Sequence, residues 1–253
     1  MKPLLRQVLE HIAPNAGLTT EAIDLLVKGA EPVRVPAGRS LYAGHRDADA
    51  VVLVLEGAGR VECARGTAQG VILQLVPPGE FVRTTAVLAG GSVSTPVLRA
   101  VAHVDSWVAV IGTSLLATVL ARLPGERLVQ LMTYSCNALA NRLVDHGRMA
   151  LLRLGDRLLL ELGTLAQDFG RPVTGGILID VRLTHAQLAS LVGGSRAAVC
   201  RALGALVSRG LLVVQGEYFV LPDGPLRLAP VRRRAEPVPP PMHVPAFAPL
   251  PLS

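Results

Sequence analysis

The sequence predicts an α+β protein in three parts: a β-rich N-terminal domain, a long helix, and a C-terminal helix-turn-helix with a β-hairpin wing. Three observations carry this. Residues 30–112 are short Val-, Leu- and Ile-rich runs separated by turn residues at near-even spacing, the mark of a sandwich or barrel. From Glu126 to Arg148 a helical period runs with no Pro or Gly before Gly147. Between Thr184 and Val220 two short apolar-periodic runs flank Gly193-Gly194, and a second glycine-centred turn follows at Gln215-Gly216-Glu217.

The elements follow in order. Leu18, Ile23, Leu25, Leu26 and Val27 predict a short helix capped by Thr19 or Thr20. Strands are expected at Val33–Val35, Ser40–Tyr42, Ala50–Leu55, Gly59–Cys63, Gly70–Leu75 and Val97–Val104. Pro36-Ala37-Gly38, Glu56-Gly57, Pro77-Pro78-Gly79 and Gly90-Gly91 are among the breaks between them. From Ser114 the period becomes helical, and Pro124-Gly125 starts a new helix. In it Leu128, Met132, Ser135, Leu139, Arg142, His146 and Met149 recur at spacings of 4, 3, 4, 3, 4 and 3. That is an a/d seam and predicts a dimerisation stalk; a helix buried against its own β domain would show the same period. A further helix is expected at Leu151–Phe169, stopped by Gly170-Arg171-Pro172, and a strand at Ile177–Val181. The domain boundaries are therefore set at 1–112, 113–150 and 151–224. Beyond them, residues 225–253 are rich in Pro and Arg and are expected to be a disordered or polyproline-II tail.

Composition bounds the function. The chain has 253 residues, 50% of them hydrophobic and 17% charged, which excludes a wholly disordered protein. Mean hydropathy is +0.44, so a membrane protein has to be tested. The relevant uncharged run, Ser106–Ala121, is 16 residues, short of the roughly 20 a spanning helix needs. No membrane partner and no secretory signal are expected. Cys63, Cys136 and Cys200 lie more than 60 residues apart, which makes neither a disulfide framework nor a metal cluster and suits a reduced, cytoplasmic protein. The net charge is +6, compatible with a nucleic-acid partner. Only Lys2 and Lys28 of the 25 basic residues are lysine, a skew that a GC-rich genome would also give. No G-x-S-x-G, H-E-x-x-H or phosphate-binding loop occurs, so no catalytic residues and no enzyme activity are expected.

The stretch from Thr184 to Val220 carries the chemistry. Thr184 is placed to cap one helix and Ser195 the next. Gly193-Gly194 supplies the tight turn. On the second helix Val199, Ala202 or Leu203, Leu206 and Val207 form the expected buried face, and Arg196, Ala197, Cys200, Arg201 and Gly204 the outer one. Arg196 and Arg201 sit near the N-terminal half, the part of such a helix that enters the major groove. The arginine fork meets guanine O6 and N7 together. An ordinary helical hairpin with solvated arginines is the plain alternative.

The run Leu183-Thr184-His185-Ala186-Gln187-Leu188-Ala189-Ser190-Leu191-Val192-Gly193-Gly194-Ser195-Arg196-Ala197-Ala198-Val199-Cys200-Arg201-Ala202-Leu203 resembles the recognition pattern of the CRP/FNR family of bacterial transcription regulators. Val52-Leu53-Val54-Leu55-Glu56-Gly57 and Pro78-Gly79-Glu80-Phe81 extend the resemblance over about residues 30–222. It implies a cyclic-nucleotide-binding-like β-roll (a jelly roll), a dimerisation helix and a winged helix. It further implies a homodimer on near-palindromic double-stranded DNA, with RNA polymerase as a candidate further partner. Arg196 and Arg201 would contact guanines; Ser195, Thr184 and His185 would contact phosphates. Ala197 stands where many members carry Glu, which accepts from a cytosine; alanine has no acceptor, so the preference at that base should differ. A dimeric scaffold that keeps the fold without binding DNA is the alternative.

The effector cassette also departs from the family. Thr84 falls where cyclic-nucleotide binders carry Glu, and Ser94 where they carry the phosphate-binding Arg. Without that arginine the charge-assisted fork to phosphate is lost, and cyclic AMP in the usual mode is not expected. Arg83, Thr84, Thr85, Ser94 and Thr95 remain the candidate effector residues, with a different nucleotide such as cyclic di-GMP as the alternative effector. Residues 1–62 hold no cysteine, so the iron–sulfur cluster of the family's oxygen sensors is not expected. Nothing in the spacing of His45, His103 or Cys63 favours haem. No cofactor and no metal are expected.

Overall fold

A computed structural model describes residues 1–41, 50–63, 71–82 and 98–223, and the backbone alone at several positions from 138 to 150. The candidate effector residues Arg83, Thr84, Thr85, Ser94 and Thr95, and the tail from 224, lie outside the described residues.

Two helices open the chain, α1 (Lys2–Ala16) and α2 (Thr20–Gly29). The sequence reading had only the second. Leu5, Leu9, Ile12 and Ala16 form the buried stripe of α1 at helical spacing, and Pro3 sits in its first turn, where its missing N–H costs nothing. Of the two candidate caps for α2 it is Thr19, whose Oγ1 accepts from the Ala22 N–H at 3.2 Å.

Seven strands follow among the described residues: β1 (Glu31–Val35), β2 (Ala50–Glu56), β3 (Gly59–Cys63), β4 (Val71–Val76), β5 (Phe81–Val82), β6 (Leu98–Ala102) and β7 (Ser106–Gly112). They make two antiparallel sheets, ordered β1-β7-β2-β5 and β4-β3-β6. Val52, Val54, Val108 and Val110 of the first face Val76, Ala100 and Ala102 of the second in one core. The opposite face of the first sheet, with Leu53, Leu55, Ala109 and Ile111, packs on α1 and α2. β2 and β7 are therefore covered on both sides. Ser106–Gly112, which opens the uncharged run and is not among the expected strands, is thus a central strand: doubly buried strands lose the polar alternation that marks a half-exposed one. Gly57 turns β2 into β3 at φ +85°, where a Cβ would sit 2.5 Å from Ser106 Oγ.

Then come α3 (Thr113–Arg122) and α4 (Gly125–Leu151), broken at Leu123-Pro124. The next helix, α5 (Leu154–Phe169), begins three residues later than expected, because Arg153 is extended at its N-cap. Gly170-Arg171-Pro172 does end the helix, yet it opens a strand, β8 (Gly170–Val173), paired with β9 (Gly176–Ile179). The chain closes with α6 (His185–Leu191), α7 (Arg196–Ser208), β10 (Val213–Gln215) and β11 (Tyr218–Pro222). The last sheet runs β10-β11-β9-β8. Leu158, Leu162, Leu165, Ile179, Leu188, Val199, Leu203, Leu206, Leu212 and Phe219 form the head's core beneath α6 and α7.

Candidate nucleic-acid interface

The helix-turn-helix is assembled by local hydrogen bonds that the sequence specifies. Thr184 and Gln187 form a reciprocal capping box: Thr184 Oγ1 accepts from the Gln187 N–H at 3.2 Å, and Gln187 Oε1 accepts from the Thr184 N–H at 2.9 Å. A seven-residue helix is too short to hold by propensity alone, so this box and the burial of Leu188 and Leu191 define α6. Gly193 then adopts φ +61°, a left-handed turn that residues with a Cβ enter at a cost. Ser195 Oγ accepts from the Ala198 N–H at 3.2 Å and caps α7. The two helices turn through 97°, within the range of DNA-reading helix pairs.

Each predicted reader lies on one face. Arg196, Ala197, Cys200, Arg201 and Gly204 are exposed along α7, while Val199, Leu203 and Leu206 point into the core. Val207 corrects the expected buried face: it is 44% exposed, one step past Leu206 and outside the stripe that reaches the core. Arg196 and Arg201 make no hydrogen bond or ion pair among the described residues, so both guanidinium groups are available to a ligand. Thr184, His185 and Ser195 are exposed at the two helix starts, where N–H groups and the helix dipole favour an anion.

One contact on this face escaped the sequence. His185 Nδ1 lies 3.0 Å from Cys200 Sγ. It ties the start of α6 to the middle of α7 across fifteen positions, and no local pattern announces such a pairing. At the wing, a two-residue loop joins β10 to β11, with Gly216 at φ +63°. Below it Arg182 pairs with Glu217 at 3.0 Å and donates to Tyr218 Oη at 3.1 Å. The tyrosine hydroxyl beside it raises the Arg182 pKa further, Glu217 adding to the effect.

The stalk residues divide. Leu128 and Ser135 are half-buried, and Ser135 Oγ donates to the Leu131 carbonyl at 2.9 Å. Met132 is 60% exposed. The side chains of Leu139, Arg142 and His146 lie outside those described. Val129, Val144 and Leu151 are also exposed apolar residues of α4, so the uncovered stripe is not confined to the predicted seam. Among the described residues no group of three or more His, Cys, Asp and Glu is placed to hold a metal. No single described helix is long and apolar enough to cross a membrane.

Comparison with known proteins agrees with this arrangement. Residues 150–225 match the Crp-like helix-turn-helix domain. Over 228 residues the chain is 24% identical to the CRP-like cAMP-activated global transcriptional regulator of Mycobacterium tuberculosis, covering 86% of this chain and 95% of that protein. A CRP/FNR family transcriptional regulator from Thermus thermophilus superposes with a TM-score of 0.58 at 26% identity, over 76% of this chain and 94% of that one. The c-di-GMP responsive global regulator CLP of Xanthomonas campestris shares the fold, with a TM-score of 0.61 at 20% identity over 81% of this chain and all of that one. Double-sheet domain, long helix and capped, winged helix-turn-helix thus stand in the order of those regulators: residues 150–225 are a Crp-like helix-turn-helix domain, and the chain is similar along most of its length to DNA-binding transcription regulators of the CRP/FNR type.

Proposed function

We propose that this regulator acts as a homodimer on a near-palindromic duplex site, read by Arg196 and Arg201 and independent of cyclic AMP in the usual mode. The observation that carries the reading is the exposed face of α7: two arginines, without a partner among the described residues, flank small residues on a helix whose start is fixed by Ser195. Each arginine would span guanine O6 and N7, and Ser195, Thr184 and His185 would hold phosphates. Ala197 leaves one base unread by a carboxylate. The exposed apolar positions Val129, Met132, Val144 and Leu151 on α4 favour a second copy packed along that helix. In a two-fold dimer the recognition helices would meet successive major grooves about one helical turn apart. The chain is read as cytoplasmic and without catalytic activity, with RNA polymerase as a further partner.

Thr84 and Ser94 replace the two residues that would hold ribose and cyclic phosphate, which supports a ligand other than cyclic AMP or none. The relative from Mycobacterium tuberculosis is cAMP-activated, and the Xanthomonas regulator is c-di-GMP responsive, so both nucleotides belong in the test. Selection of sites from a randomised duplex library at fixed salt, with and without each nucleotide, is expected to enrich a palindrome without ligand. Enrichment only with cyclic AMP would overturn the effector reading. An enriched asymmetric single half-site would overturn the dimer reading.

A further inference from the structure

We propose that His103 is a pH-sensitive latch that holds the DNA-reading head against the β domain while its ring is neutral and releases it on protonation. The two domains share more than a linker. Ile72 and Leu75 of β4, with Ala58, are buried in the same apolar cluster as Leu183, Leu188 and Leu191 of the head. The Ile72 N–H, on the outer edge of β4, donates to Ser190 Oγ of α6 at 2.7 Å. His103 supplies the second polar tie. Its Nε2 lies 2.8 Å from the carbonyl oxygen of Arg182, two residues before the Thr184 cap. A carbonyl only accepts, so the ring donates at Nε2.

The imidazole is held rigidly at this boundary. It is 8% exposed. The His103 backbone N–H donates to the Ala58 carbonyl at 2.7 Å, and the buried Ser106 hydroxyl donates to the Val104 carbonyl at 2.8 Å, fixing the turn between β6 and β7. The other ring nitrogen, Nδ1, is buried without a hydrogen-bond partner among the described residues. A second proton would go to that atom, where no acceptor waits, and a buried charged N–H without one is strongly disfavoured. Arg60 on β3, itself paired with the buried Glu62 at 3.1 Å, adds a like charge that opposes the proton. The Arg182 guanidinium is engaged by Glu217 and Tyr218. β4 offers no titratable side chain (Val71–Val76 is VILQLV), and on α6 the one titratable group, His185, is exposed.

Burial holds the His103 pKa below its ordinary value; the Arg182 carbonyl pulls the other way and Arg60 adds to the depression. A histidine depressed in this way strengthens the closed contact only while neutral. The contact is at full strength above about pH 6.5 and weakens as pH falls from there to the ring's depressed pKa. Acid would therefore loosen the seating of α6 on β4.

Hydrogen exchange of the full-length chain from pH 7.5 to 5.0, corrected for intrinsic exchange chemistry, tests this. Residues 71–76 and 182–192 are expected to open more as pH falls, by up to about tenfold per pH unit until the depressed pKa is passed. Residues 50–56 of the β-domain interior should not follow. His103→Gln, which keeps a donor and does not titrate, should abolish the pH dependence. A wild-type chain with flat exchange at those segments, or a Gln variant that tracks the wild type, overturns the latch. Should His103→Gln fail to fold, the ring's own NMR titration in the wild type decides: a pKa at or above the ordinary value overturns it. None of these readouts involves DNA, so the latch and the DNA reading stand or fall separately.

Discussion

Truncating Ile72 to alanine should weaken the head, although Ile72 belongs to the β domain. The residue lies on β4, is 5% exposed, and sits in the apolar cluster formed mainly by α5, α6 and α7. The substitution removes three carbons from apolar surroundings, about 2.4 kcal/mol at ~0.8 kcal/mol per buried methylene. A residual cavity adds to that, within a general range of about 2–5 kcal/mol for such truncations. We expect about 3 kcal/mol. Urea titration with hydrogen exchange resolved by segment would separate the domains. Protection across residues 158–206 should fall with that of β4. Val71→Ala, at a neighbouring residue that is 55% exposed, should shift either domain by less than about 0.5 kcal/mol. If Ile72→Ala destabilised only residues 50–112 and left the head's transition in place, the shared core would be refuted.

Arg201→Ala and Arg196→Ala should each relax the preference at one base by about 1–3 kcal/mol while the fold holds, and unchanged selectivity in a library selection would remove them from base readout. Thr184→Ala breaks the capping box and should cost about 1 kcal/mol of stability, with Thr184→Ser recovering most of it; equal melting temperatures for all three proteins would contradict the cap. Met132→Asp places a charge on an exposed apolar position of α4 and should shift the mass in solution from dimer to monomer, as read by light scattering.

What the sequence made legible was local. Gly193, Thr184 and Ser195 act within three or four residues of themselves, and their spacing fixes the turn and both caps, so the exposed face of α7 followed almost residue for residue. Strand runs such as Ala50–Leu55 and Gly59–Cys63 were legible because Glu56-Gly57 and its like punctuate them. α1 was open to the same reading, since Leu5, Leu9, Ile12 and Ala16 keep its period; Pro3 and Pro14 disguised it. β7 was harder, because burial on both faces erased the alternation. Ser190 on Ile72 and His103 on Arg182 were illegible, as those partners lie 118 and 79 positions apart. Val207 was misplaced by a single step of helix rotation.

The edge position of β4 has a consequence for the newborn chain. Among the described residues β4 is the outermost strand of its sheet, and α6 covers it only after more than a hundred further residues have been made. Until then the nascent β domain presents an open strand edge beside the uncovered Ile72 and Leu75, a template for pairing with another chain. Truncation before the head should therefore yield a β domain that aggregates, because the segment that reads DNA also serves as the cover of its neighbour's sheet.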